Sequence, residues 1–147
     1  MKSRSLLGVA CVLLSGCGGA EEEAACRGAS VRVVRPGASA PLVSVCAQVA
    51  RTEAERTQGL SGRSRLAASE GLLLEFPVEG EACIVNGPVT FGIDVVFAND
   101  RGDVVALERA VAAGDATPRC HPGVRRVLEI AAGVANGVAV GDSLQIE

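Results

Sequence analysis

The sequence predicts a mainly β fold: a compact jelly-roll-like sandwich or barrel of short strands with one or two short helices. Apolar residues fall in short runs, several alternating with polar ones as a half-buried strand requires. The runs are bounded by Gly, Pro, Asn or Asp, the residues that turn a chain. A complete helix-start signature occurs at one place, and many short strands with few helices define a sandwich or small barrel.

Val31 to Val34 and Val43 to Val49 read as two strands of a hairpin, connected through Arg35-Pro36-Gly37. Thr52-Glu53-Ala54-Glu55 fits a capping box, and Gly59 before Leu60 fits a left-handed stop, which predicts a helix of about two turns. From there strands are expected at Gly71 to Phe76, Ala82 to Val85, Ile93 to Ala98, Asp103 to Leu107, Arg126 to Ile130 and Ser143 to Ile146. Asn99-Asp100-Arg101-Gly102 is a hairpin turn, and Val140-Gly141-Asp142 a tight reversal before the last strand. The stretch from Ala110 to Pro122, rich in Ala, Gly and Pro, is expected to be a long loop of the kind that often carries function.

The 147 residues include three Phe and no Tyr or Trp, so Val, Leu, Ile and Ala must build the core. Without aromatic platforms, single-strand nucleic-acid binding and most sugar stacking are excluded. Lys2 and Arg4 are the only charges before residue 17, so without residues 1–16 the chain has 12 basic against 17 acidic side chains, a net of −5 that repels polyanions.

Residues 1–16 have the layout of an export signal: Lys2 and Arg4, an apolar run from Leu6 to Leu14, then Ser15 and Gly16. The run is too short to span a bilayer permanently. Leu14-Ser15-Gly16-Cys17 resembles the lipobox cut by lipoprotein signal peptidase, which would leave Cys17 as a lipidated N-terminus. The expected organisation is a signal peptide at 1–16, a lipidated cysteine and acidic spacer at 17–29, and one globular domain at 30–147. Such an anchor holds a domain at the membrane surface. Gly18 lacks the Asp associated with inner-membrane retention, so the periplasmic face of the outer membrane is expected in a cell with two membranes.

Cys11 leaves with the leader, and Cys26, Cys46, Cys83 and Cys120 remain for an oxidising compartment. Three pairings are open. Alternation along Val43 to Val49 puts Cys46 on the face away from the larger apolar residues, where it can meet Cys26; Cys83 is then left with Cys120. A second reading notes that Cys120 adjoins His121, the single histidine, so that a thiolate or metal site could be assembled with Cys83.

From about Val43 to Ile146 these landmarks resemble the prokaryotic family catalogued as domain of unknown function 192. Glu55-Arg56-Thr57-Gln58-Gly59-Leu60 with Arg63 looks like the family's E-R-x-x-G-L-M-x-R, and Gly71-Leu72-Leu73-Leu74-Glu75-Phe76 stands in place of G-M-L-F-x-F. Val127-Leu128-Glu129-Ile130, Ala132-Gly133 and Gly137 to Asp142 are similar to the closing V-L-E-V, A-G and G-x-x-V-G-D. In the middle, Ile84 to Val89 departs from F-W-M-K-N-T, and Asp94 with its apolar neighbours is what remains of I-P-L-D-I-x-F. The resemblance implies a jelly-roll-like, commonly exported domain and transfers no activity.

The leading functional expectation is a non-catalytic envelope module that binds a small ligand or another envelope protein at the rim formed by Asn86 to Gly92 and Ala110 to Pro122. No nucleic-acid partner and no cofactor are expected, because no catalytic or phosphate-binding motif stands out. The enzyme alternative uses Cys83 or Cys120 as nucleophile, His121 as base and Asp94 as the orienting carboxylate.

Overall fold

The computed structural model describes residues 25–147; the leader and Cys17 lie outside the described residues. Apolar alternation builds strands β1 (Ala29–Val34), β2 (Val43–Ala50), β3 (Glu70–Ile84), β4 (Ile93–Ala98), β5 (Val104–Val111), β6 (Arg119–Ala131) and β7 (Ser143–Ile146), with helix α1 (Glu53–Gln58) between β2 and β3. They form one sheet in the order β5-β4-β6-β3-β2-β1-β7. Neighbours run antiparallel except β2 and β3, the pair that α1 connects, as a parallel pair requires a crossover.

The sheet curls into a half-barrel whose outer strands meet at one corner. There Asp103 bridges Ser143, the Val104 N–H donates to Asp142 O at 2.8 Å, and the Leu144 N–H donates to Gly102 O at 2.7 Å. Gly102 permits this approach: its φ is +90°, and a Cβ there would lie 2.5 Å from Leu144 O.

Because the sheet curls, both of its faces carry apolar packing. Val31, Val33, Val45, Leu73, Val96, Leu128 and Leu144 pack inside the curl. Leu72, Leu74, Val95, Phe97 and Val127 form a second cluster on the outer face, covered by Leu60 and Leu66 from the α1 segment. β4 contributes to both clusters, and all six of its residues are buried.

Two expectations are corrected. The strands expected at Gly71 to Phe76 and Ala82 to Val85 are parts of the single strand β3, and the expected Ala110 to Pro122 loop is largely strand, leaving only 112–118 irregular. The cause is two register shifts, the first of them between Glu75 opposite Arg126 and Gly80 opposite Val124, where β3 carries three extra residues around Pro77. Between Gly80 opposite Val124 and Ala82 opposite His121, β6 carries one extra residue at Pro122-Gly123, with Gly123 at φ +68°. Proline and glycine there bend a strand, whereas in the sequence they read as loop. On the two sides of the bulge, Val124 and then Ala82 and Ile84 join the outer cluster with Phe97.

Candidate functional site

The residues singled out by sequence lie in three separate places. Cys26 and Cys46 are disulfide-bonded where the N-terminal segment meets β2, and Cys83 on β3 is bonded to Cys120 directly opposite it on β6. Glu81, Cys83 and Cys120 bring potential metal ligands together at the surface, but both sulfurs are committed to the S–S bond. The thiol and metal versions of the enzyme alternative therefore lose their nucleophile and soft ligands.

His121 and Asp94 are not brought together. His121 Nε2 lies 2.9 Å from Glu108 Oε1, and its ring sits 4.6 Å from that of Phe97. Arg119 joins this network, donating to Glu108 at 3.2 Å and to Asp115 at 2.6 Å. The Thr117 backbone N–H and side chain, with Arg119, hold Asp115 down at about 2. These pairs fasten the start of β6 to edge strand β5 and to the loop that joins them.

Asp94 faces the inside of the curl and is 1% exposed. One carboxylate oxygen accepts the Ala110 N–H at 2.9 Å; the other accepts the N–H groups of Gly133 and Ala135, both at 2.9 Å. All of these donors are backbone. Ala110 adopts φ +51°, a conformation that costs free energy for a residue with a Cβ, and Asp94 holds it there. Asp94 is thus a strut joining β4, β5 and the turn after β6, and the orienting role in the enzyme alternative is not available to it.

The rim segments do meet. Asn86, completely buried, donates to Phe91 O at 3.0 Å and Ala112 O at 2.9 Å, and Asp115 O accepts its backbone N–H at 2.8 Å. These bonds close the junction between the segments into a joint, in which Asn86 Oδ1 is buried without a partner among the described residues.

The space lies on the other side of Val89. A cleft of about 480 Å³ opens between α1, β3 and the segment that follows β3. One wall is α1 and its exit turn, including Arg56, Thr57 and Leu60; the opposite wall is Ile84, Val85 and Val89; Leu74, Phe76 and Glu129 form the base. The first wall is placed by local sequence. Thr52 Oγ1 accepts the Glu55 N–H and the Glu55 carboxylate accepts the Thr52 N–H, completing the capping box. Gly59, at φ +51°, stops the helix and turns Leu60 inward to 2% exposure. Arg56 is positioned through Nη1, which donates to the backbone carbonyls of Arg51 and Glu75, and its guanidinium lies 5.1 Å above the Phe76 ring.

Glu129 is the unusual member of this lining. Its partners across the sheet are Leu72 on β3 and Val95 on β4, both buried. It is 5% exposed, and no other described residue hydrogen-bonds its carboxyl group. Burial pushes the group up to about 7, against the opposing charge of Arg63. Arg63 itself donates to Gln48 on β2. A carboxyl group desolvated in a cleft and left without a partner has unspent capacity for one proton, cation or hydrogen-bond donor.

Sequence reading noticed Glu129 only as part of a closing motif. A signal was present: an acid within Val127-Leu128-Glu129-Ile130-Ala131, on a strand with apolar neighbours on both sides. Asp142, the acid of the next motif, is structural. The Arg35 guanidinium holds it below the usual carboxylate range, and the Ala139 N–H donates to it at 2.8 Å.

A curled β half-barrel with one helical crossover and a cleft over a lone buried acid defines the class of this protein. Residues 34–146 match the model of the family DUF192, described as an uncharacterized ACR, and the chain belongs to that family. No curated protein matches the chain. It is similar in structure to a protein of unknown function from Novosphingobium aromaticivorans DSM 12444, with TM-score 0.73 and 26% identity over 79% of this chain and 83% of that one. A protein from Sinorhizobium meliloti 1021 described as a candidate transcription regulator shares the fold, with TM-score 0.75 at 22% identity over 80% of this chain and 92% of that one. The blocks of sequence similar to the family, around Arg56 to Leu60, Leu74 to Phe76 and Glu129, converge on the cleft. Two disulfides point to folding in an oxidising, exported location, and among the described residues no helix is long and apolar enough to cross a membrane.

Proposed function

We propose that the protein is a lipid-anchored envelope lipoprotein whose exported domain is a non-catalytic binding module, and that a small ligand occupies the cleft over Glu129. The observation that carries the binding reading is the buried carboxyl group with no hydrogen-bond partner among the described residues, in a cleft whose volume falls within the usual range for small-molecule sites. A single buried acid, with no nucleophile hydrogen-bonded to it among the described residues, suits recognition better than catalysis. The anchor rests on Leu14-Ser15-Gly16-Cys17 and is consistent with the disulfides. The spacer after Cys17 gives the domain reach from the bilayer surface.

The test of the anchor is metabolic labelling with radioactive palmitate followed by detergent phase partition. The wild-type chain should take up label and enter the detergent phase, and Cys17→Ser should do neither; label retained by Cys17→Ser would refute the anchor. The binding reading is tested on the same chain by a thermal-shift screen of small organic molecules. Val85 lines the cleft and is 48% exposed, so Val85→Trp fills the cleft without disturbing the core. Hits should lose their shift in Val85→Trp, and hits that persist there place binding elsewhere.

A further inference from the structure

We propose that the cleft selects a small organic cation, a protonated amine with a compact apolar body, whose ammonium group hydrogen-bonds the Glu129 carboxylate. This deepens the binding reading above and rests on it. The walls supply apolar surface from Leu60, Leu74, Ile84 and Val89, which suits a hydrocarbon body. At the base the ligand meets Glu129, an acceptor without a donor, buried among Leu72 and Val95. An anionic ligand would place like charge against an already desolvated carboxylate, and a purely apolar one would leave it unpaired. An ammonium group supplies both the missing donors and the countercharge.

The other charges around the cleft are of both signs. Arg56 also lines the cleft, its Nη1 donating to two backbone carbonyls and its guanidinium lying over the Phe76 ring, so an anion would have to pair with its remaining N–H groups, which the carboxylate probe below tests. Glu53, at the start of α1, also lines the cleft and adds to its negative character. Arg63 is the one cation acting on Glu129, and it hydrogen-bonds Gln48, outside the cleft lining. Since only the ionised carboxylate pairs with an ammonium group, binding displaces the proton that burial favours. Affinity therefore rises with pH until Glu129 is ionised in the free protein, near pH 7.

Three probes with one body and different heads separate the possibilities: cyclohexylammonium, cyclohexanol and cyclohexanecarboxylate. Each is titrated at pH 5 and pH 8 into the full chain carrying Cys17→Ser with both disulfides formed, following the methyl NMR signals of Leu60, Leu74 and Ile84. The ammonium probe should bind best and weaken about a hundredfold from pH 8 to pH 5, the ratio that follows from one group titrating near 7. Glu129→Gln keeps the shape of the side chain but cannot ionise; it should abolish the pH dependence and weaken the ammonium probe by about tenfold to a hundredfold, as expected for a charge-assisted hydrogen bond. If cyclohexanol or the carboxylate binds as tightly as the ammonium probe, or if Glu129→Gln leaves ammonium binding unchanged, the cation assignment is overturned while small-ligand binding stands. If none of the three probes moves the cleft methyl signals at millimolar concentration, both readings fall.

Discussion

Glu129→Gln should make the protein more stable, and only above mildly acidic pH. Burial raises the folded-state carboxyl from an ordinary 4.5 to about 7, so the folded protein holds this proton more tightly than the unfolded chain does. Below about pH 4.5 the group is protonated in both states and imposes no penalty. As pH rises towards 7 the unfolded chain releases its proton while the folded protein retains it, and stability falls across that window. Above 7 the folded protein must carry a buried, unpaired charge, at a cost of about 3 kcal/mol for a shift of that size. Glutamine has no such transition. Urea unfolding of both proteins at pH 4, 6 and 8, with the disulfides intact and equal m-values, should give Glu129→Gln an advantage of about 3 kcal/mol at pH 8, less at pH 6, and near zero at pH 4. An advantage that does not vary with pH, or a mutant less stable than wild type at pH 8, would show that another group compensates the carboxylate and would remove the basis for an unpartnered acid.

Asp94→Asn should destabilise the fold by about 2–4 kcal/mol, since the amide retains one acceptor oxygen where the carboxylate serves three backbone N–H groups; a loss under about 0.5 kcal/mol in urea unfolding would contradict the strut. Replacing Cys26 and Cys46 together with Ser should lower stability by about 3 kcal/mol and replacing Cys83 and Cys120 by about 4 kcal/mol, following loop closures of 20 and 37 residues. Peptide mapping without reduction should recover these two linked pairs, and free labelling of Cys83 or Cys120 in the native protein would reopen thiol chemistry beside His121. Thr52→Ala removes the cap that places the α1 wall and should cost about 1 kcal/mol in thermal unfolding, weakening any cleft ligand at the same time; unchanged affinity would show that α1 takes no part in the site.

What was legible in the sequence follows from how local each signal is. The capping box, Gly59 and the hairpin turn at Asn99 to Gly102 are written within a few residues, and each appears where the sequence places it. Strand β6 was half hidden because Pro122 and Gly123 make a bulge, which sequence alone cannot distinguish from the start of a loop. Asp94 could be assigned to a face by counting along β4, but which face lay inside depended on the curl of the whole sheet. The same holds for the cleft. Its walls come from α1 and from the end of β3 and the segment after it, separate stretches of the chain, and nothing in Val127 to Ala131 says that Glu129 will find no partner across the sheet.

That missing partner is the strongest argument for a site. This fold pairs its other buried acids: Asp94 with three backbone N–H groups, and Asp142 with Arg35 and the Ala139 N–H. Both acids tie loops to the sheet, so their burial is offset by hydrogen bonds. Glu129 ties nothing. A Leu or Val in its place would extend the apolar row between Leu72 and Val95 and avoid a penalty of about 3 kcal/mol at neutral pH, a large fraction of the total stability of a small domain. Residues that weaken a fold in this way concentrate where function requires them, because stability and activity are in competition at such positions. A ligand that supplies the missing donors would recover part of that penalty, so occupancy of the cleft should stabilise the wild-type domain more at pH 8 than at pH 5 and should stabilise Glu129→Gln equally at both. A shift in unfolding midpoint independent of pH in the wild-type chain would assign the stabilisation to apolar contact alone, and Glu129 would then need another explanation.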